Sequence, residues 1–244
     1  MSDIKSFLDE LKQLNDKDCF NIFVPSINKK VSFKAFSVKQ HRDIIKTMLE
    51  GVEGTISASK LLNTIIKENS TQDIEFKYYD RNKILLDIRR QITGDSVTIK
   101  DTLYSIDSLP PFNFTFKEEE EFEYSGITVK MKIPTLEEDS KITEKSVIEI
   151  SKFVANDKKV GNSVSTLLIY ELMKFIQSIQ IEDTIINFSE QSTINKKNII
   201  ENLPLKLNNI LLEFIAKYKE YEQEFFTFSD GTKLNIDASF LVGE

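Results

Sequence analysis

The sequence predicts an α+β fold, on three observations. Apolar residues recur at helical spacing in several segments, most densely in the C-terminal half. Short alternating runs meet turn signals near the N-terminus, in the middle and near the C-terminus, where β-hairpins are expected. The 18 Phe and 7 Tyr fall largely on those alternating runs, so the hairpins carry much of the large apolar surface to be packed against the helices.

Ile4, Phe7, Leu8 and Leu11 predict a short amphipathic helix over Ser2–Leu14. Phe20–Val24 alternates, Pro25 breaks the run, and Val31, Phe33 and Ala35 alternate again after Asn28-Lys29-Lys30. This is a hairpin with Pro25 at an edge or strand end. Ser37 is the expected N-cap of a helix over Val38–Leu49, and Gln40 completes a capping box. Gly51 and Gly54 are expected to close that unit before a helix whose Leu61, Leu62, Ile65 and Ile66 share a face. Tyr78–Ile92 is the next helix, stopped by Gly94, and Val97–Ile99 opens a strand.

After Pro110-Pro111, Phe112, Phe114 and Phe116 alternate with polar residues. The expected strand runs on through Glu118–Tyr124, turns at Ser125-Gly126 and returns through Ile127, Val129, Met131 and Ile133 to Pro134. Helices are then predicted over Ser140–Val154 and Ser163–Ile181, with a short strand at Thr184–Phe188. Two more helices, Thr193–Asn202 and Leu205–Tyr221, flank Pro204. Phe225–Phe228, the turn Ser229-Asp230-Gly231 and Leu234–Ile236 predict a closing hairpin. The expected organisation is a mixed hairpin and helix part, 1–134, and a helical part ending in a hairpin, 135–244, or one continuous domain. Phe23–Ile27 and Lys132–Leu136 both end a strand at a proline, which strands often do, so no duplication is read from them.

Composition excludes much chemistry. Cys19 is the single cysteine and His41 the single histidine. Most zinc sites, serine–histidine triads and cysteine–histidine nucleophiles therefore lack their parts. A net charge of -7 argues against general nucleic-acid binding, which neutralises phosphates. No apolar run approaches the ~20 residues of a membrane helix, and the charged N-terminus is not expected to act as a signal peptide. The acidic run Glu118–Glu121 would alternate between the two faces of a strand, so a solvated or partner-facing edge is expected there rather than a metal site. Asp230-Gly231 with Asp237 lacks the offsets of a calcium loop. No catalytic residue, cofactor or metal site is expected, and the chain is read as a binding protein, not an enzyme.

The aromatic residues are the positive signal. Phe225, Phe226 and Phe228 cannot all face one way, so at least one is exposed unless another element or subunit covers it. Phe226, Phe228, Asp237 and Phe240 are the candidate partner-binding residues.

Ile22–Ile27 through Val31–Gln40 resembles the opening of the baseplate hub family of T-even-type contractile-tailed bacteriophages. Ile199–Pro204, Phe228–Gly231 and Ile236–Phe240 resemble its end. The likeness extends loosely through most of the chain and is specific in these stretches. It implies a hub structural or assembly protein that acts through protein–protein interactions, with other hub or tail proteins as partners, no nucleic acid and no membrane. Its place would be the host cytoplasm during assembly and, if retained, the virion tail baseplate. The alternatives are an assembly chaperone absent from the mature virion and, further off, a carboxylate-dependent cell-wall hydrolase. The resemblance carries over no catalytic residue and leaves oligomeric state open.

Overall fold

The computed structural model describes residues 4–7, 9–11, 18–154 and 160–242, with the backbone alone at 51–53, 55, 153–154 and 160–164. The chain forms two compact units, 1–113 with 226–244, and 114–225. Division near Pro134 into N- and C-terminal parts is a separate proposal that limited proteolysis tests. Two stable fragments cut within 134–141 would support it, and a single resistant core would count against it.

The first unit begins with helical residues 4–7 and 9–11, α1, whose Ile4, Phe7 and Leu11 are exposed. Leu8 and the ends of the expected helix lie outside the described residues. β1 (Cys19–Val24) and β2 (Lys29–Lys34) form the expected antiparallel hairpin, with Ile22 opposite Val31. Pro25 opens the 3-10 turn between them, which Asn28 closes in the left-handed region at φ 51°. Ile22, Val24, Val31 and Phe33 are buried, as the period of two requires of a single inward face.

α2 (Val38–Met48) starts at Ser37, whose hydroxyl accepts from Gln40 N while Gln40 Oε1 accepts from Ser37 N, completing the capping box. α3 (Gly51–Asn69) follows almost at once. Gly54 therefore lies inside a helix rather than at the end of one. A Cβ there would stand 1.9 Å from the Thr47 carbonyl oxygen, so hydrogen is the one substituent the first turn of α3 can present to the last turn of α2. Gly54→Ala is expected to destabilise the protein by about 1–3 kcal/mol, as overpacking does. Denaturant unfolding checks this, and an unchanged midpoint would contradict the close approach.

α4 (Asp80–Thr93) ends at Gly94, at φ 89°. Buried Asp80 accepts from the amides of Ser26 (3.0 Å) and Lys77 (2.8 Å), tying the β1–β2 turn to the start of the helix. β3 (Ser96–Ile99) and β4 (Thr102–Ser105) form a second hairpin, turning through Lys100 and Asp101, both at positive φ. At the C-terminus the expected hairpin closes as a single bridge, Thr227 with Lys233. Phe228 N to Thr232 O (2.8 Å) and Leu234 N to Phe226 O (2.7 Å) support it. The short helix α9 (Ala238–Val242) ends the described chain.

The second unit is a four-stranded antiparallel sheet, β5 (Glu119–Tyr124), β6 (Ile127–Lys132), β7 (Ile176–Ile181) and β8 (Thr184–Asn187), in that order. Its helices are α5 (Leu136–Val154), α6 (Val160–Phe175), α7 (Thr193–Glu201) and α8 (Leu205–Glu224). Three expectations change here. Ile176–Ile181, expected as the end of a helix, is a strand because it pairs with β6, Ile179 opposite Val129. Its Ile-Gln-Ser-Ile-Gln-Ile sequence suits either state, and the sheet decides. Residues 112–117 form no strand; their phenylalanines are held by aromatic contacts instead. α5 starts at Leu136, earlier than Ser140, because Thr135 and Glu138 form a capping box: Thr135 N to Glu138 Oε2 is 3.0 Å and Glu138 N to Thr135 Oγ1 is 3.2 Å.

Tyr218 on α8 is fully buried between Phe116 and Phe175, each with ring centroids 5.7 Å away, and Phe114 at 6.4 Å. The acidic run of β5 lies on a sheet edge opposite the lysines of β6, with Lys130 Nζ 2.7 Å from Glu119 Oε2. Such an edge resists pairing with another chain.

Charges are also tied down inside this unit. Asp139, with no exposed surface, sits 2.7 Å from Lys174, which also lies 3.2 Å from Glu171; Lys219 reaches Glu171 at 2.6 Å. Burial pushes the Glu171 carboxyl up, but the Lys174 and Lys219 charges outweigh it and hold the group below its ordinary value. Burial also opposes ionisation of Glu149, and hydrogen bonds from Lys197 and Tyr170 outweigh it. A carboxyl lowered on folding contributes stability above its unfolded pKa and loses it as pH falls through the folded value. The protein is therefore expected to lose stability below about pH 4.5, the ordinary glutamate value. Glu171→Gln should flatten that slope; an unchanged acid limb in urea titrations at stepped pH would contradict it.

The same local plan occurs in both units, in a register different from the proline echo. Lys34–Gln40 and Lys132–Glu138 each run from the end of a strand through a capping box into a helix. Ser96–Leu109 and Ser178–Gln191 each form a hairpin of identical register followed by a 3-10 turn. Ser, Ile, Asp and Thr recur at the same places as Ser96/Ser178, Ile99/Ile181, Asp101/Asp183 and Thr102/Thr184. The same side chains turn inward, Val97 and Ile106 in one and Ile179 and Phe188 in the other.

Candidate functional site

The candidate residues lie in the C-terminal segment of the first unit, 226–242. Phe226 is buried against Phe112, centroids 5.9 Å apart, and Phe228 is buried in a stack on Tyr104 at 4.5 Å. Phe225 is half-buried against Tyr221 in the second unit. The covering element that the sequence required for this aromatic run is thus supplied by the chain itself. Tyr104 also donates through its hydroxyl to Asp230 Oδ2 at 2.9 Å. The Thr232 amide, then Tyr104, holds the Asp230 carboxyl below its ordinary value.

Asp237 is exposed and caps α9, its Oδ1 accepting from Ser239 N (2.9 Å), Ser239 Oγ (2.6 Å) and Phe240 N (3.2 Å). Phe240 is buried beneath Arg89, whose guanidinium carbon lies 4.6 Å from the ring centroid. Arg89 is itself buried. Its Nε donates to the Phe240 carbonyl at 2.8 Å and its Nη1 to the Ser96 carbonyl at 3.1 Å. Burial lowers its pKa, yet a guanidinium stays charged throughout the working range. The pair Arg89-Arg90 reads in sequence as compensation for a helix dipole. Folded, the two part company: Arg89 clamps the C-terminal segment and Arg90 pairs with Asp95 and Asp107 on the surface. No sequence signal separates them, because the Phe240 carbonyl that Arg89 meets lies 151 residues away.

Beside the clamp runs an apolar groove of about 240 Å³, between the start of α2, the end of α4 and α9. Val38 (88 % exposed) and Ile92 (47 %) are on its wall with Leu241 and the single histidine, His41. The structure thus brings Phe226, Phe228, Asp237 and Phe240 onto one segment, three of them inward and Asp237 outward. Among the described residues no group of three or more His, Cys, Asp or Glu could hold a metal ion, and no helix is long and apolar enough to cross a membrane.

No curated protein and no solved structure matches the chain. Residues 19–225 match the family of the T4 bacteriophage base plate protein, a span that runs from β1 to the end of α8 and stops before the C-terminal hairpin. The chain belongs to the T4 bacteriophage base plate protein family.

Proposed function

We propose that the protein is a structural or assembly component of the baseplate hub, acting through contacts with other hub or tail proteins rather than through catalysis. The observation that carries this is the family match over residues 19–225, joined to the hub-like stretches at Ile22–Gln40 and Ile199–Pro204 within it. The exposed surface offers apolar side chains suited to docking, Val38, Leu49 and Leu103 among them. Partner contact centres on the C-terminal segment, where Asp237 faces outward while Phe226, Phe228 and Phe240 hold the segment in shape.

The experiment is detection of the chain in purified particles. A retained subunit is present at a fixed ratio to the other baseplate proteins. Its absence from particles, with assembly failing when the chain is missing, would replace the subunit with an assembly chaperone that departs before maturation.

A further inference from the structure

We propose that a cationic pocket in the second unit binds a carboxylate carried by an acidic segment of a partner protein. The pocket encloses about 310 Å³ where the first turns of α5, the end of α6, the start of β7 and α7 meet. Lys132, Lys141, Lys174 and Lys196 line it. Three of the four are committed to acids of this chain: Lys132 to Glu138 (2.5 Å), Lys141 to Glu137 (2.7 Å) and Lys174 to Asp139 (2.7 Å). Lys196 is the exception, with no ion-pair partner among the described residues. Burial, opposed by Glu138 and assisted by Lys132, holds its ammonium below its ordinary pKa. A half-buried ammonium beside another lysine is a site that an incoming anion relieves.

Two features favour a carboxylate on a peptide over a small inorganic anion. The walls between the lysines include apolar side chains, Met173 among them, which suit the stem of a glutamate or the body of a peptide. Gln177, also lining the pocket, has a buried side-chain oxygen with no hydrogen-bond partner among the described residues. A peptide N–H would meet that acceptor, whereas a bare carboxylate such as acetate brings no donor to it.

The position is a built feature of the fold. In the first unit the apolar groove occupies the corresponding place, between the start of the capping-box helix and the end of the helix leading to the second hairpin. That groove is flanked by the chain's own α9. One scaffold, used twice, thus makes one cleft that accepts an apolar segment and another that is lysine-lined. The lysine pocket would take such a segment whether or not the protein is a hub subunit.

The test uses the full chain with methyl-labelled methionine. Met173 lines the pocket, and Met48 on α2, in the first unit, serves as reference. A short capped peptide with glutamates between leucines is titrated at constant ionic strength, alongside its glutamine counterpart and inorganic phosphate. The expected result is a saturable shift at Met173 and none at Met48, with the glutamate peptide preferred. Lys196→Gln should weaken the binding by roughly tenfold, as the loss of one charge-assisted hydrogen bond does. An unchanged melting temperature in Lys196→Gln would show that the loss is local. No saturable shift at Met173, equal response to the glutamine peptide, equal response to phosphate, or undiminished binding in a folded Lys196→Gln protein would each overturn the proposal.

Discussion

Replacing Tyr218 by alanine is expected to destabilise the protein by about 3–5 kcal/mol, the range for deleting a buried aromatic side chain. Tyr218 has no exposed surface and its ring meets Phe114, Phe116 and Phe175. It therefore joins α8, the irregular segment before β5 and the end of α6. Removing it leaves a cavity that rings from two different elements, the segment before β5 and the end of α6, would have to close. Because native proteins are stable by only about 5–15 kcal/mol, the variant should show a strongly lowered denaturant midpoint and weakened near-ultraviolet dichroism. An unfolding free energy within about 1 kcal/mol of the parent's, roughly the error of extrapolation, would mean that the cluster is not the core of this unit.

Arg89→Met is expected to have the next largest effect, about 2–4 kcal/mol, through the C-terminal segment. Methionine preserves much of the apolar stem but leaves the Phe240 and Ser96 carbonyls without their charged donor. The ring of Phe240 loses its overlying cation as well. Amides at 238–242 should exchange hydrogen faster than in the parent, with a smaller change at Ile84 and Leu85, buried earlier on α4. Equal protection at 238–242 in both proteins would show that the segment is held by its apolar contacts alone. The same variant bears on function, since a loosened segment should also lose any partner that contacts it. Phe226→Ser is a poorer probe of partner binding, because Phe226 is 2 % exposed and the substitution acts first on folding.

Local signals in the sequence located most elements, and tertiary pairing moved the rest. The Ser37–Gln40 capping box, the Gly94 stop and the Ser125-Gly126 turn are each set by residues within a few positions, and each is present where expected. The matching box at Thr135–Glu138 is legible in the same terms, although Pro134 beside it also reads as a strand end. By contrast, Ile176–Ile181 carries apolar residues compatible with either period, and its partner strand lies at Ile127–Lys132. The phenylalanines of 112–116 alternate as a strand would, but Phe114 and Phe116 pack on α8 and Phe112 on Phe226. At the candidate site, aromatic content located the C-terminal segment, and the capping role of Asp237 follows from Asp237-Ala238-Ser239. The Arg89 clamp and the lysine pocket were not legible, since each joins residues separated widely in sequence.

The chain is proposed to work by binding other baseplate proteins. The most direct test is affinity capture of the tagged chain from infected cells, with mass spectrometry of the proteins retained. Recovery of other baseplate hub proteins, reduced when Arg89 is replaced, is the expected result. Recovery of no phage tail protein from cells in which the chain is folded and abundant would contradict it.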